Sequence, residues 1–277
     1  MQVPKGFGSD EVTGQFLNFL NSQLALLEEL YQYQFTNLKH LDDSRIGNLY
    51  TLLFSIWHTG KSISLLAMHQ HINECFILAR SFLERLITYI YLLFCDEEEH
   101  SQYLAYTKQK AYRVLDRSFS AGNLRVKLKW SGSIDLEKEP KLKEAADMFT
   151  SNKGKIKTRW PSKNISKMLD LISNKGGLDI GYLMLATLWI YDDASEALHG
   201  TLYGSTFHMG IFTGERAFSK DELKKIWNER FSALFLALGT SSHTLIQGFN
   251  KLSAIENIAR DSKDNLRTIS STMKQMK

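Results

Sequence analysis

The chain has 277 residues, a formal net charge of +4, and 43% apolar and 23% charged residues. This composition is ordinary for a globular protein and excludes an intrinsically disordered chain. Only three prolines occur, and none lies between Pro4 and Pro140, so that stretch can hold several long helices.

Helical periodicity dominates the chain, and the alternation typical of strands is nearly absent. The first helix is predicted to open at Ser9, an N-cap followed by an acidic first turn, and to end near His40. The region 121–162 is predicted to be a basic, irregular insertion, and the polar tail 255–277 to be helical but frayed. The sequence therefore predicts an all-α fold: one helical domain over 1–277, built as a bundle of long antiparallel helices. The other predicted helices cover residues 42–70, 72–95, 96–120, 142–149, 162–173, 179–198 and 220–252.

Two apolar stretches, 76–94 and 231–248, are candidates for membrane spans. The first carries Arg80, Glu84 and Arg85 in its middle, and charges at mid-helix are costly in lipid. The second is marginal in length and contains Gly, Thr and Ser. Both are therefore predicted to be buried helices of a soluble protein that does not enter the membrane.

The cysteine content and the N-terminus indicate the compartment. Cys75 and Cys95 lie in one apolar segment, about 30 Å apart if it is helical, which is beyond the reach of a disulfide. They are expected to be reduced core residues, and the first residues lack the apolar run of a signal peptide. Both observations favour a cytoplasmic protein.

Positive charge is concentrated in one segment. Residues 108–167 contain 16 Lys/Arg against 6 Asp/Glu, a net of +10, so the remainder of the chain carries −6. A segment of this kind is a solvated insertion, a surface that contacts RNA phosphates, or a surface for an acidic protein partner. The candidate RNA-binding residues are Lys127, Lys129, Lys153, Lys155, Lys157 and Arg159.

The predicted helix 72–95 carries a narrow polar arc on an otherwise apolar surface. Asn73, Arg80 and Glu84 fall within about 40° of one another on a helical wheel. Arg80 and Glu84 are four residues apart and can pair directly. Such a pair is either an exposed salt bridge worth a few tenths of a kcal/mol, or a covered pair with a functional reason for its position.

A second polar group lies near the end of the predicted helix 179–198. Asp192, Ser195, Glu196 and His199 share one helical face, and Gly200 is a plausible terminator. The helix dipole favours a protonated His at a C-terminus, and imidazole is suited to proton transfer near neutral pH. The alternative is a structural His with capping neighbours.

A carboxylate-bridged di-metal site is a further alternative. Glu196-x-x-His199 and Glu97-x-x-His100 both match the Glu-x-x-His spacing of ferritin-like bundles. That spacing is common by chance, and no apolar helix offers the two further glutamates that such a site needs. The sequence therefore predicts no metal and no other cofactor.

Both polar groups resemble a known family. The segment 79–84 with the apolar run that follows resembles the Arg-x-x-x-Glu helix of the prokaryotic DUF5677 family, and residues 191–200 resemble its Tyr…Ser-x-x-x-His element. The resemblance spans roughly residues 45–250. Such proteins look related to the HEPN superfamily, whose helical bundles often dimerise. Many HEPN members are metal-independent ribonucleases of toxin–antitoxin and anti-phage systems.

The sequence departs from the HEPN signature, which is Arg-x4-6-His on one helix. The positions eligible before His199 are Ala194, Asp193 and Asp192, and none is Arg. A ribonuclease activity would need Arg80 from another helix as the cation, with His199 for proton transfer. Glu84 would then orient Arg80, and Ser195 completes the predicted catalytic set.

The resemblance thus implies a HEPN-like helical protein of a prokaryotic defence or toxin system that binds or cleaves RNA. A homo-oligomer or a complex with a partner protein of that system is expected. The alternative from a different class is a non-enzymatic interaction or regulatory subunit, in which the polar residues only hold helices together. The missing Arg before His199 favours this alternative.

Overall fold

A computed structural model describes residues 11–38, 41–129, 134–151, 164–199 and 219–275. The predicted N-cap Ser9, the predicted helix end His40 and the predicted terminator Gly200 lie outside these ranges. The elements are α1 (Glu11–Asn37), α2 (Asp43–Met68), α3 (Ile72–Phe94), α4 (Glu97–Leu115), β1 (Asp116–Ala121), β2 (Leu124–Lys129), a 3-10 turn (Leu136–Lys138), α5 (Pro140–Met148), α6 (Ile165–Gly176), α7 (Gly181–His199), α8 (Lys220–Ser253) and α9 (Glu256–Gln275).

The fold class is all-α, as the sequence predicts, with one small two-stranded sheet among the described residues. The chain divides into two compact units, residues 1–94 with 168–277, and residues 95–167. The predicted basic insertion 121–162 falls inside the second unit. Among the described residues, no helix has both the length and the apolar character needed to cross a membrane.

In the first unit, α3 is the central helix. It packs against α2, α7 and α8, and its side chains Phe76, Phe82, Tyr89 and Tyr91 are almost completely buried. Burial of aromatic side chains of this size dominates the energy of a core. The apolar surface on most sides of α3, which was evident in the sequence, is therefore covered by neighbouring helices.

The helices α7 and α8 run antiparallel. Leu178, just before α7 begins, lies against Gly248, near the end of α8. A Cβ added to Gly248 would be 3.1 Å from a methyl carbon of Leu178. Farther along, Asp193 of α7 lies 3.9 Å from Arg230, in the first third of α8. The order of these two contacts fixes the opposite directions of the helices.

A close approach joins α1 to α8 on the other side of α8. A Cβ added to Gly239 would lie 2.4 Å from Cε1 of Phe19, a distance that real Cβ atoms do not tolerate. The phenyl ring of Phe19 therefore occupies the space above a glycine in the middle of a long helix. Gly239 costs α8 some intrinsic helix stability and permits this contact.

The second unit corrects one predicted boundary. The predicted helix 96–120 ends at Leu115, and residues 116–121 form β1 instead, paired antiparallel with β2. Residues 117–121 and 124–128 alternate in the strand pattern, and Gly122 adopts a φ of 57° in the two-residue turn between the strands. The prediction overlooked this short alternating segment because the helical period of the preceding turns dominates it.

Candidate functional site

The pair predicted on α3 is formed. Arg80 Nε donates a hydrogen bond to Glu84 Oε1 across 3.1 Å. The side chains are 23% and 43% exposed, so the pair is partly covered but still open to a ligand. Because the bond uses Nε, the two Nη groups of the guanidinium fork lie beyond it, and a fork of that kind matches two oxygens of a phosphate.

A third residue, Tyr191 of α7, completes the cluster. The guanidinium carbon of Arg80 lies 4.1 Å from the centroid of the Tyr191 ring, and the Tyr191 hydroxyl donates to Glu84 Oε1 across 2.5 Å. One carboxylate oxygen of Glu84 therefore accepts from both neighbours, while the ring supports the cation from its face. This contact holds the Arg80 side chain in one orientation and joins α3 to α7.

The charges of the cluster follow from these contacts. Burial works against the cationic form of Arg80, but the hydrogen bond to Glu84 and the neighbouring Tyr191 outweigh it and raise the pKa of Arg80. Burial, followed by the hydrogen bond to Glu84, raises the pKa of the Tyr191 phenol. Near neutral pH Arg80 is thus a cation paired with the Glu84 carboxylate, and the Tyr191 phenol is neutral and donates its proton to that carboxylate.

Sequence reasoning included Tyr191 in the family element but gave it no role. The available signal was its position four residues before Ser195 and eight before His199, on a helix that also resembles the family. What the sequence could not show is that its ring packs on Arg80, because that contact joins two helices that are far apart along the chain.

Arg85, a further charged residue in the middle of α3, makes a different contact. Arg85 Nη1 donates to the Thr59 hydroxyl across 2.6 Å and so ties α3 to α2. Thr59 in turn donates to the carbonyl of Ser55 in its own helix. Arg80 and Arg85 are close in sequence but serve different contacts, which makes Arg85 a useful reference for Arg80.

Ser195 and His199 lie farther along α7. Ser195 is half-buried one turn beyond Tyr191, and His199 is exposed at the end of the helix. Eight residues of helix separate the backbone of His199 from that of Tyr191 by about 12 Å. Within the described residues, no hydrogen bond joins Ser195 or His199 to Arg80 or Glu84, so the predicted catalytic set divides into a clustered part and a separate part.

The two Glu-x-x-His segments lie in different units. Glu196 and His199 belong to α7, and Glu97 and His100 belong to α4, where the His100 Nδ1 lies 3.7 Å from a Glu97 carboxylate oxygen. Among the described residues of the first unit, no three His, Cys, Asp or Glu side chains come close enough to share an ion. The di-metal interpretation remains a sequence-based alternative.

The candidate RNA-binding residues are described only in part. Lys127 is exposed on β2, where it shares one face of the hairpin with Arg125. The opposite face carries the exposed apolar residues Phe119, Leu124 and Val126. Lys129 is the last residue of β2, and its backbone is paired with that of Asp116 in β1. Four further candidates lie outside the described residues: Lys153, Lys155, Lys157 and Arg159.

Comparison with known families supports the resemblance seen in the sequence. The sequence model of DUF5677, described as a family of unknown function, matches residues 48–216, which is more than half of the chain. The matched range includes Arg80, Glu84, Tyr191 and His199. No curated protein and no solved structure shows significant similarity to the chain.

Proposed function

Because the chain belongs to the DUF5677 family, whose function is unknown, we propose from its own residues that it is a HEPN-like RNA-binding effector that cleaves RNA without a metal ion. The setting we propose is a cytoplasmic prokaryotic toxin or anti-phage defence system, with the chain acting as a homo-oligomer or beside a partner protein. One observation carries this proposal: Arg80 is held by Glu84 and Tyr191 in a partly open position.

A held arginine suits phosphate binding for two reasons. Its side chain has already lost the rotamer freedom that a flexible arginine would lose on binding, so less of the binding free energy is consumed. Its guanidinium is permanently charged and planar, and it binds two phosphate oxygens at once. The positive segment 108–167 supports the same interpretation, because clustered Lys and Arg raise the affinity for nucleic acid by releasing counterions.

The proposed reaction uses the RNA's own 2′-hydroxyl. His199 accepts the proton of this hydroxyl while the 2′ oxygen attacks the adjacent phosphorus. The bond from phosphorus to the 5′ oxygen breaks, and water supplies the proton to that leaving oxygen. The products are a 2′,3′-cyclic phosphate and a 5′-hydroxyl end. Since His199 lies about 12 Å from Tyr191 along α7, we assign Arg80 to a phosphate near the scissile one, where it holds the strand.

The test uses two arginines of one helix. Arg80→Lys keeps the charge but removes the planar fork, so RNA affinity is expected to fall about tenfold. Arg85→Lys is the matched control, because Arg85 contacts Thr59 instead of the cluster, and its RNA affinity should stay within about twofold of the wild type. Affinity is measured at low salt with divalent ions chelated, and thermal unfolding checks that both variants fold.

Cleavage is measured on the same RNA. We expect wild-type products that accept a 5′ phosphate from polynucleotide kinase without phosphatase treatment, and no products from His199→Ala. If the wild type neither binds nor cuts a mixed RNA pool, the proposal is wrong. If it binds but His199→Ala cuts as fast as the wild type, RNA binding stands and the catalytic assignment of His199 is withdrawn.

A second candidate function is a non-enzymatic interaction subunit. The observation that favours it is the same Tyr191–Glu84–Arg80 contact, which joins two helices and has no hydrogen bond to His199 among the described residues. This function predicts that Arg80→Ala lowers the unfolding temperature and that no variant changes RNA integrity in cells. Growth and RNA integrity after induced expression of wild type, Arg80→Ala and His199→Ala separate the two functions.

A further inference from the structure

A cavity of about 330 Å³ lies at one end of the first unit, apart from the Arg80 cluster. This volume is at the lower end of the range for small-molecule sites, roughly 300–1,000 Å³. The wall combines one large aromatic ring, two ammonium groups, two amide side chains and two apolar side chains. Its lining residues are Gln70, Lys220, Leu223, Lys224, Trp227, Asn228 and Phe231.

Most of the wall is one face of α8. Lys220, Lys224, Trp227 and Phe231 recur at spacings of four, three and four residues, so successive turns of the helix bring them to the same side. A capping box between Ser219 and Glu222 fixes the start of this helix. The two lysines of the cavity, Lys220 and Lys224, are therefore carried by the first two turns of a helix with a defined start.

Gln70 forms the opposite wall from the turn between α2 and α3. Its φ of 62° is a left-handed conformation that residues other than glycine seldom adopt. The strained turn brings Gln70 to the cavity that the aromatic and cationic face of α8 lines.

The end of α7 lies at the same end of the unit. From the contact between Asp193 and Arg230, six residues forward on α7 lead to His199, and six residues back on the antiparallel α8 lead to Lys224. Both steps cover about 9 Å in the same direction. The cavity is thus level with the residue to which the proposed function assigns proton transfer.

We propose that this cavity binds a nucleotide unit, with the base against the Trp227 indole and the phosphate on Lys220 and Lys224. Stacking on an indole is available to every base, and ammonium groups bind phosphate as point charges. The Gln70 and Asn228 amides supply donors and acceptors for a base edge. Two acids lie in the first turn of α8. Glu222 accepts a hydrogen bond from the Ser219 backbone amide, and Asp221 is exposed.

The nucleotide unit has two possible sources, a free mononucleotide or a residue of an RNA strand, and only the second rests on the proposed function. The purified full chain is titrated with AMP, UMP, ribose 5-phosphate and a short single-stranded RNA by calorimetry at low salt. Saturable binding of AMP or UMP, at least about tenfold tighter than ribose 5-phosphate, is expected because stacking requires the base.

Neighbouring lysines provide the matched control. Lys224→Glu and Lys225→Glu change the net charge equally, but Lys225 lies beside Glu229, 4.0 Å away, and does not line this cavity. Lys224→Glu is expected to weaken AMP binding at least about tenfold, and Lys225→Glu less than about twofold. Trp227→Leu should weaken the binding of AMP and leave the affinity for ribose 5-phosphate unchanged. Lys220→Glu replaces it if Trp227→Leu does not fold.

The outcomes separate this proposal from the proposed function. AMP binding without RNA binding supports the pocket and overturns the RNA function. A different result is RNA binding that is weakened neither by added AMP nor by the Lys224→Glu substitution. That result supports the RNA function and overturns the pocket. Equal affinity for AMP and ribose 5-phosphate overturns the pocket as a nucleotide site, because an anion alone would then account for the binding. Binding of none of the four probes overturns both.

Discussion

The hydroxyl of Tyr191 on α7 donates a hydrogen bond to Glu84 on α3, and the ring of the same tyrosine supports Arg80. A single side chain thus couples the two helices that carry the residues resembling the family. The contact explains why a charged pair persists in the middle of a largely buried helix. Variants of these residues are therefore expected to disturb this contact between α3 and α7 first.

Tyr191→Phe removes the hydroxyl and keeps the ring. The free energy of unfolding should fall by about 1 kcal/mol, because a partly buried hydrogen bond to a carboxylate is lost while the packing remains. Tyr182→Phe, on the exposed part of the same helix, is the control and should change little. Denaturant unfolding of both variants checks this prediction, and equal stabilities would contradict it.

Arg80→Ala should change the salt dependence of RNA binding. If Arg80 contacts one phosphate, the slope of log K against log [salt] becomes shallower by about one. The measurement is RNA binding at several salt concentrations for wild type and Arg80→Ala. Weaker binding with an unchanged slope would mean that Arg80 acts on the fold and not on the strand.

Stability should depend on pH through His243. This side chain lies beside the Ser262 hydroxyl at 2.8 Å, and burial, with a contribution from Lys263, lowers its pKa to about 4. Between pH 6.5 and 4 the unfolded chain therefore binds this proton more readily than the folded chain does. Stability is expected to decrease as pH falls through that window, by up to about 3 kcal/mol, and to show no further loss from this group below it.

The measurement is urea unfolding at several pH values for wild type and His243→Asn. In the variant, the free energy of unfolding should no longer show the decrease that His243 causes between pH 6.5 and pH 4. His243, Ser262 and Gln23 form one buried hydrogen-bonded group across α1, α8 and α9, so the variant will also be less stable at pH 8. An unchanged slope in His243→Asn would assign the pH dependence to other groups.

Two glycines should respond oppositely to alanine. In Gly239→Ala the new Cβ meets the Phe19 ring, and the cost is expected to be about 1–3 kcal/mol. In Gly14→Ala nothing lies within 4 Å of the new Cβ, so α1 should gain up to about 1 kcal/mol from better helix propensity. Thermal unfolding decides the point, and stabilisation by both substitutions would show that the Phe19 ring moves aside freely.

Among the described arginines of the first unit, Arg45 should be the most costly to remove. It is buried and donates from Nε and Nη2 to the carbonyl of Leu92, at 2.9 and 2.6 Å, near the end of α3. Arg45→Met leaves that carbonyl without these donors and should cost about 2 kcal/mol. Arg267→Met, at an exposed position beside Asp264, should cost less than about 0.5 kcal/mol. Similar losses in the two variants would be the contrary result.

Several features follow from local sequence. The bounds of α2, α3 and α7 agree with the predicted helices to within a few residues, and the pairing of Arg80 with Glu84 follows from their spacing. These features depend on a periodicity that one helix imposes on its own residues. The hairpin was missed because a few alternating residues stand beside longer helical patterns, and its stabilising contacts lie across strands.

By itself, the sequence determined the all-α class, the central apolar helix with its Arg–Glu pair, and the family resemblance. Only the tertiary structure decided that Tyr191 joins that pair, that Arg85 turns to Thr59, and that Gln70 faces Trp227. Contacts inside a helix repeat at fixed spacings. Contacts between helices depend on the crossing angle and register, which many side chains set together when the core packs.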